Sequence, residues 1–246
     1  MSLRFIDRPS PNFNTREGVS GPDILLMHYT GMQSCEAAVL RLTDAATRVS
    51  SHYTIDEDGT IYVHVAEDAR AWHAGASSWR GATDVNSRSI GIEIVNPGHE
   101  FGYRPFPAAQ IDAVIALSQQ ILARHSIPPR NVIGHSDVAP DRKEDPGELF
   151  PWKLLASVGL GLWVDGALSK AQSLVRGMDG ARVFVLQAQL ARYGYALDIS
   201  GVYDQRTEIV MTAFQRHFRP EKIDGVADAQ CQSLLERLNE LLDPAA

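Results

Sequence analysis

Eight histidines, two cysteines and thirty acidic side chains are the groups in this chain able to hold a metal ion or move a proton. His28 and His135 each end a short apolar run: residues 23–29, set between Gly21-Pro22 and Thr30-Gly31, and residues 132–135. Each run reads as a buried strand, and strands of mixed sheets deliver side chains into clefts at their ends. A histidine there is either a hydrogen-bonded core residue or a ligand. Asp145, in the polar segment 136–147, completes a set of two imidazoles and one carboxylate. That set suits a catalytic zinc ion, which takes three protein ligands and keeps its fourth position for water. A closed structural zinc site would use cysteines, but Cys35 and Cys231 stand far apart with no second sulfur near either. Both read as buried small hydrophobes.

Metal-assisted hydrolysis also needs a base to take a proton from the attacking water. Glu93 is the candidate, as the single acid in the run Ile90-Gly91-Ile92-Glu93-Ile94-Val95. Strand alternation puts it on one face with Gly91 and Val95, opposite Ile92 and Ile94. A carboxylate there is costly unless it is paired, faces a polar cleft or meets water on an outer face. Lys143, beside Asp145 in the same loop, has the charge and reach to stabilise an oxyanion, and reads otherwise as an exposed lysine. Of the other histidines, His125 reads as a helix-end residue, His99 as solvated loop and His217 as a surface residue. Ser51-His52 and Ser136-Asp137 combine into a serine triad only on paper, with no Gly-x-Ser-x-Gly elbow to support it. A phosphate loop and a His-Glu-x-x-His helix are both missing from the sequence.

The elements that must position these groups alternate between strand and helix patterns over the first 163 residues, the signature of an α/β fold with a sheet covered by helices. Residues 52–55 and 60–63 read as a hairpin across Asp58-Gly59. Residues 107–124 carry Ile111, Val114, Ile115, Ile121 and Leu122 at helical spacing behind Pro107. The segment 136–147 reads as loop. Glycines at 159, 161, 166, 177 and 180 mark a linker, placed at 164–180. Beyond it, residues 181–246 hold three amphipathic stretches (183–193, 207–218 and 227–242), which make a small three-helix unit suited to binding.

At 246 residues and a net charge of −7 without a basic block, the chain is long enough for two domains and a poor partner for nucleic acid. No apolar run approaches a membrane span. The N-terminus lacks the features of a signal peptide, so the chain as given reads as cytoplasmic; a signal removed beforehand would place it in the periplasm or at the outer membrane. The expected state is a monomer.

Several motifs taken together resemble one family. Met27-His28-Tyr29-Thr30, Ser50-Ser51-His52-Tyr53, Ala71-Trp72-His73-Ala74-Gly75, Ser89-Ile90-Gly91-Ile92-Glu93, Gly134-His135-Ser136-Asp137-Val138-Ala139-Pro140 and Arg142-Lys143-Glu144-Asp145-Pro146-Gly147 resemble the zinc-dependent N-acetylmuramoyl-L-alanine amidases related to peptidoglycan recognition proteins. Trp79-Arg80-Gly81-Ala82-Thr83 and Leu149-Phe150-Pro151-Trp152, with a domain following, fit the AmiD type. The second unit is similar to a peptidoglycan-binding helical module in Val185-Leu186-Gln187, Tyr193-Gly194-Tyr195, Gly201-Val202-Tyr203-Asp204, Phe214-Gln215 and Asp224-Gly225.

The resemblance implies a mixed β-sheet with flanking helices in residues 1–163. It implies hydrolysis of the amide joining the lactyl group of N-acetylmuramic acid to L-alanine, in peptidoglycan or muropeptides. Carried over to this chain, His28, His135 and Asp145 bind one Zn²⁺, Glu93 is the general base and Lys143 stabilises the oxyanion. Trp72, His73 and His52 line the substrate groove. Two other readings compete: a recognition protein that binds peptidoglycan without cutting it, and another zinc hydrolase of the wall, a peptidase or a deacetylase.

Overall fold

Short apolar runs bounded by turn residues become strands here, and longer amphipathic runs become helices. The computed structural model describes residues 3–166 and 170–242. It begins with β1 (Phe5–Asp7), β2 (Phe13–Thr15), β3 (Ile24–Tyr29), α1 (Cys35–Thr43), β4 (Tyr53–Ile55), β5 (Ile61–Val63), β6 (Ala69–Ala71), α2 (Val85–Arg88) and β7 (Ser89–Ile94). It continues through α3 (Gly98–Phe101), α4 (Ala108–Arg124), β8 (Val132–Gly134), α5 (His135–Val138), α6 (Trp152–Ser157), α7 (Ala181–Tyr193), α8 (Gln205–Phe218) and α9 (Ala229–Glu240). Among the described residues no helix is long and apolar enough to cross a membrane.

Six strands form a mixed sheet in the order β1-β5-β4-β7-β3-β8. β4 and β5 pair antiparallel as the expected hairpin, turning at Gly59 with φ +85°, while the other neighbours run parallel. The central strands β3 and β7 lie side by side with His28 opposite Glu93. Alternation then sorts their side chains. Leu25, Met27, Ile90, Ile92 and Ile94 pack on one face against Ile111, Val114, Leu117 and Ile121 of α4. Each such burial contributes about 1.5–3 kcal/mol. His28, Gly91 and Glu93 are left on the other face.

That second face is shared with the C-terminal helices. Ile24, Leu26, Ile133 and Val138 join Leu190, Tyr193, Tyr195, Phe214 and Phe218 in one apolar cluster. Trp79, 1% exposed, stands between the two units with its ring edge-on to Tyr193 and Tyr195 at centroid distances of 6.0 and 5.2 Å. Asp204 and Asp228 cap α8 and α9 by accepting from the backbone N–H of Thr207 and Cys231.

In its elements and its cysteines the structure departs from the sequence expectations in three places. The segment 136–147 is not wholly loop, because His135–Val138 form a single helical turn. Part of the expected linker 164–180 is built into the helical unit: Leu174 exchanges backbone hydrogen bonds with Ala227, and Asp179 bridges to Val202. Linker residues 167–169 lie outside the described residues. Cys231 is buried as expected, whereas Cys35 is half-exposed at the start of α1.

Candidate active site

β3, α5 and the turn after it bring three ligand-type atoms to one point. Nδ1 of His28 lies 3.0 Å from Nδ1 of His135 and 3.0 Å from Oδ2 of Asp145, and His135 Nδ1 lies 3.1 Å from the same oxygen. All three residues are buried. A tetrahedral zinc ion with bonds of about 2.0–2.1 Å holds its ligand atoms about 3.3 Å apart, close to these spacings.

The surrounding hydrogen bonds fix both tautomers. His135 Nε2 is 3.0 Å from the carbonyl of Ala74, which only accepts, so Nε2 carries the proton and Nδ1 offers its lone pair. The Ser89 hydroxyl donates to Val85 O at 2.7 Å and therefore accepts from His73 Nε2 at 3.3 Å. His73 Nδ1 is then a bare acceptor for the Nε2–H of His28 at 3.0 Å, which leaves His28 Nδ1 unprotonated. Two lone pairs and a carboxylate thus face one another with no proton between them. Such a donor set calls for a cation, and the residues fit a divalent metal. Burial together with neighbouring His135 brings His28 down to about 4 against the pull of Asp145, so it is neutral at physiological pH. Burial pushes the Asp145 carboxyl up, but His135 and His28 outweigh this and hold it well below the usual carboxylate range.

A cleft of about 490 Å³ opens on this cluster and is lined by Glu93, Lys143, Trp72 and His73 together with the three ligand-type residues. Burial, with the charge of Asp145, pushes Glu93 up to about 8, and Lys143 opposes the shift. A carboxylate so placed can exchange a proton near neutrality, as a general base must. Tyr29, Arg41 and Glu100 also line the cleft. Sequence reasoning missed these three; only Tyr29, next to a candidate ligand, carried any local signal.

The other expected groove residues divide. Trp72 borders the cleft and is steadied by its Nε1–H, which donates to Asn14 Oδ1 at 2.7 Å. His73 also borders it, while its Nδ1 orients His28. Its ring lies directly over Gly91, where a Cβ would come within 2.6 Å of His73 Nδ1, so glycine is required in the strand at that point. His52 does not reach the groove. It is fully buried behind His73, its Nδ1 accepting from Gly91 N–H at 3.0 Å and its Nε2 facing Ala69 O at 3.2 Å. Its Nε2 also lies 3.0 Å from the Arg16 guanidinium, so backbone and Arg16 together occupy both ring nitrogens.

His217 is likewise not a surface residue. It is 3% exposed, and its Nδ1 donates to Asp137 Oδ2 at 2.7 Å, because the end of α8 packs on α5 rather than facing solvent. His125 closes α4 and also pairs with Glu67 at 2.7 Å. His99, read as solvated loop, is exposed but lies in the short helix α3, and its ring stacks on Tyr103.

Comparison with known proteins places this geometry in context. The family described as N-acetylmuramoyl-L-alanine amidase matches residues 18–148, and a putative peptidoglycan binding domain matches residues 179–235. The Escherichia coli N-acetylmuramoyl-L-alanine amidase AmiD is 40% identical over 233 residues, covering 88% of this chain and 82% of that protein. The solved complex of the E. coli enzyme with the substrate anhydro-N-acetylmuramic acid-L-Ala-D-γ-Glu-L-Lys superposes with a TM-score of 0.76 at 36% identity, covering 94% of this chain and 98% of that one. Pseudomonas aeruginosa AmpDh3 in complex with anhydromuramic pentapeptide gives a TM-score of 0.77 at 34% identity, covering 95% and 98%.

Proposed function

Because the chain belongs to the N-acetylmuramoyl-L-alanine amidase family, we propose that His28, His135 and Asp145 hold one zinc ion per chain, with Glu93 and Lys143 carrying the proton transfer and the oxyanion. The bond the enzyme hydrolyses is the amide between the lactyl group of N-acetylmuramic acid and the L-alanine of the stem peptide. The observation that carries the site assignment is the meeting of three unprotonated donors within 3.0–3.1 Å at the floor of the cleft that Glu93 lines. When bound there, zinc supplies Lewis acidity toward the scissile carbonyl and toward water.

The chain's own residues account for the remaining steps. The Glu93 carboxylate takes the proton of the attacking water and returns it to the departing alanine nitrogen. The Lys143 ammonium faces the negative charge that grows on the carbonyl oxygen. His73 keeps the His28 ring turned so that Nδ1 addresses the metal position, and Ala74 O does the same for His135. Trp72 offers an apolar wall to sugar or lactyl groups. Residues 1–163 carry the chemistry, and residues 181–246, with the paired segment at 174–179, bind wall glycan. The muropeptide substrates are of the anhydro-muramyl kind held by the two solved relatives.

Mass spectrometry of anhydro-muramyl tripeptide incubated with the zinc-loaded protein tests this reading. The expected products are the intact anhydro sugar acid and the intact tripeptide. Cleavage inside the peptide, or loss of acetate with the amide intact, would contradict it. Lys143→Met lowers kcat by about 10²–10³-fold, the usual cost of losing one oxyanion partner, with KM and zinc content near those of the wild type. An unchanged kcat in steady-state assays would remove Lys143 from the mechanism.

A further inference from the structure

The segment that carries two of the metal-site residues is braced from outside by the C-terminal helices. Asp137, two positions beyond His135 on α5, is 1% exposed and accepts three hydrogen bonds. One comes from the backbone N–H of Gly134 at 2.8 Å, immediately before His135. The other two cross from the second unit: the Tyr195 hydroxyl at 2.6 Å, just past the end of α7, and His217 Nδ1 at 2.7 Å, on α8. His217 is itself clamped, stacked on Trp152 at 3.9 Å and on Phe218 at 4.0 Å. The brace extends along the segment. Ser136 N–H donates to the carbonyl of Asp145 at 2.9 Å, tying the two ligand positions together, and Arg216 of α8 reaches Glu144 at 3.3 Å, next to Asp145.

We propose that Tyr195 and His217 are positioning residues for the amidase centre: through Asp137 they fix the turn that presents His135 and Asp145, so that the wall-binding unit forms part of the active-site scaffold. A catalytic constellation must be held to about 0.5 Å by groups that are themselves locked, and among the described residues of the catalytic unit only the Gly134 amide bonds the Asp137 carboxylate. The two remaining donors come from a domain whose family role is to bind polymer. The arrangement couples that domain to the chemistry, although none of its described side chains lines the cleft. This inference rests on the zinc assignment above.

The test uses full-length protein and reads zinc affinity by competition with a chromophoric chelator, alongside kcat, KM and Tm. Tyr195→Phe removes one hydroxyl and weakens zinc binding by about 10-fold, within the 10–100-fold range of outer-shell partners, with kcat falling and KM nearly unchanged. His217→Ala weakens it by about 10–100-fold, and His217→Gln, which keeps an N–H donor, restores much of the loss. Tyr203→Phe is the control, because it deletes an equally buried hydroxyl bonded within the second unit to Gly225 O at 2.6 Å. It lowers Tm as Tyr195→Phe does but leaves zinc affinity and kcat alone. The inference is overturned if Tyr195→Phe holds zinc within about twofold of the wild type, or loses no more affinity than Tyr203→Phe. Tyr195→Phe decides the matter where His217→Ala fails to fold. His28→Ala separates the two levels of the argument: zinc binding retained in that variant defeats the metal site itself, whereas binding lost there but intact in Tyr195→Phe defeats only the brace.

Discussion

Glu93→Gln, purified with one zinc ion per chain, turns over muropeptide about a thousandfold more slowly than the wild type, the middle of the range for loss of a general base. KM stays close to its wild-type value, because the amide preserves the shape of the side chain and the cleft keeps its other walls. The pH dependence carries the sign of the mechanism. A base must be ionised to accept a proton, so kcat rises with pH through the Glu93 titration and falls on acidification. Burial and the charge of Asp145 push this group up to about 8 against the opposing charge of Lys143, and a bound dication would draw it lower. The acid limb of kcat therefore lies below about 8 in the zinc-loaded enzyme, and the Glu93 titration moves up when the metal is removed. In the Gln variant the residual rate lacks that limb. A variant with full turnover, or one whose profile keeps the same limb, would transfer the base role to another group.

Removing the metal site has an effect of similar size. Asp145→Ala and His28→Ala each leave two donors where three converge, and both are expected to lose zinc in dialysis that leaves the wild type loaded. The Lewis acidity lost with the ion amounts to several kcal/mol of transition-state stabilisation, so kcat falls by about 10³-fold or more, at about 1.36 kcal/mol per decade. Thermal unfolding gives a second readout independent of turnover. Zinc at 100 times its Kd stabilises a protein that binds it only when folded by about 2.7 kcal/mol. Added zinc accordingly raises the wild-type Tm and leaves that of His28→Ala unmoved. Wild-type activity after exhaustive chelation would exclude the ion from the reaction.

Much of this site was legible because strand periodicity is a strong local constraint. Once residues 23–29 and 90–95 are read as strands, alternation assigns His28, Gly91 and Glu93 their faces, and the parallel pairing of β3 with β7 sets His28 directly opposite Glu93. The fold class followed from the same patterning. Helices α7 and α8 were equally plain, since Val183, Leu186, Leu190, Val210, Met211 and Phe214 all fall on buried stripes.

What escaped the sequence depends on contacts between distant segments. His217 sits at a position whose local pattern suggests exposure, and only the docking of α8 on α5 buries it against Asp137. His52 falls in a motif that suggests the groove, yet its ring nitrogens are occupied by the backbone of two strands, β7 and β6, and by Arg16. Strands β1, β2 and β6 are as short as β4, β5 and β8 but have no Asp-Gly turn or continuous apolar run to mark them, and they exist because a partner strand supplies their hydrogen bonds. The second coordination layer was invisible for the same reason: the chain His28–His73–Ser89–Val85 joins residues that no spacing rule links.

The most direct test is a crystal structure of the full-length protein grown with zinc, with diffraction measured on both sides of the zinc absorption edge. The account predicts a single anomalous peak about 2.0–2.1 Å from Nδ1 of both His28 and His135 and about 2.0–2.2 Å from a carboxylate oxygen of Asp145, open on the side that faces Glu93. Zinc seated elsewhere, or these three side chains paired with other groups in fully active crystals, would contradict it.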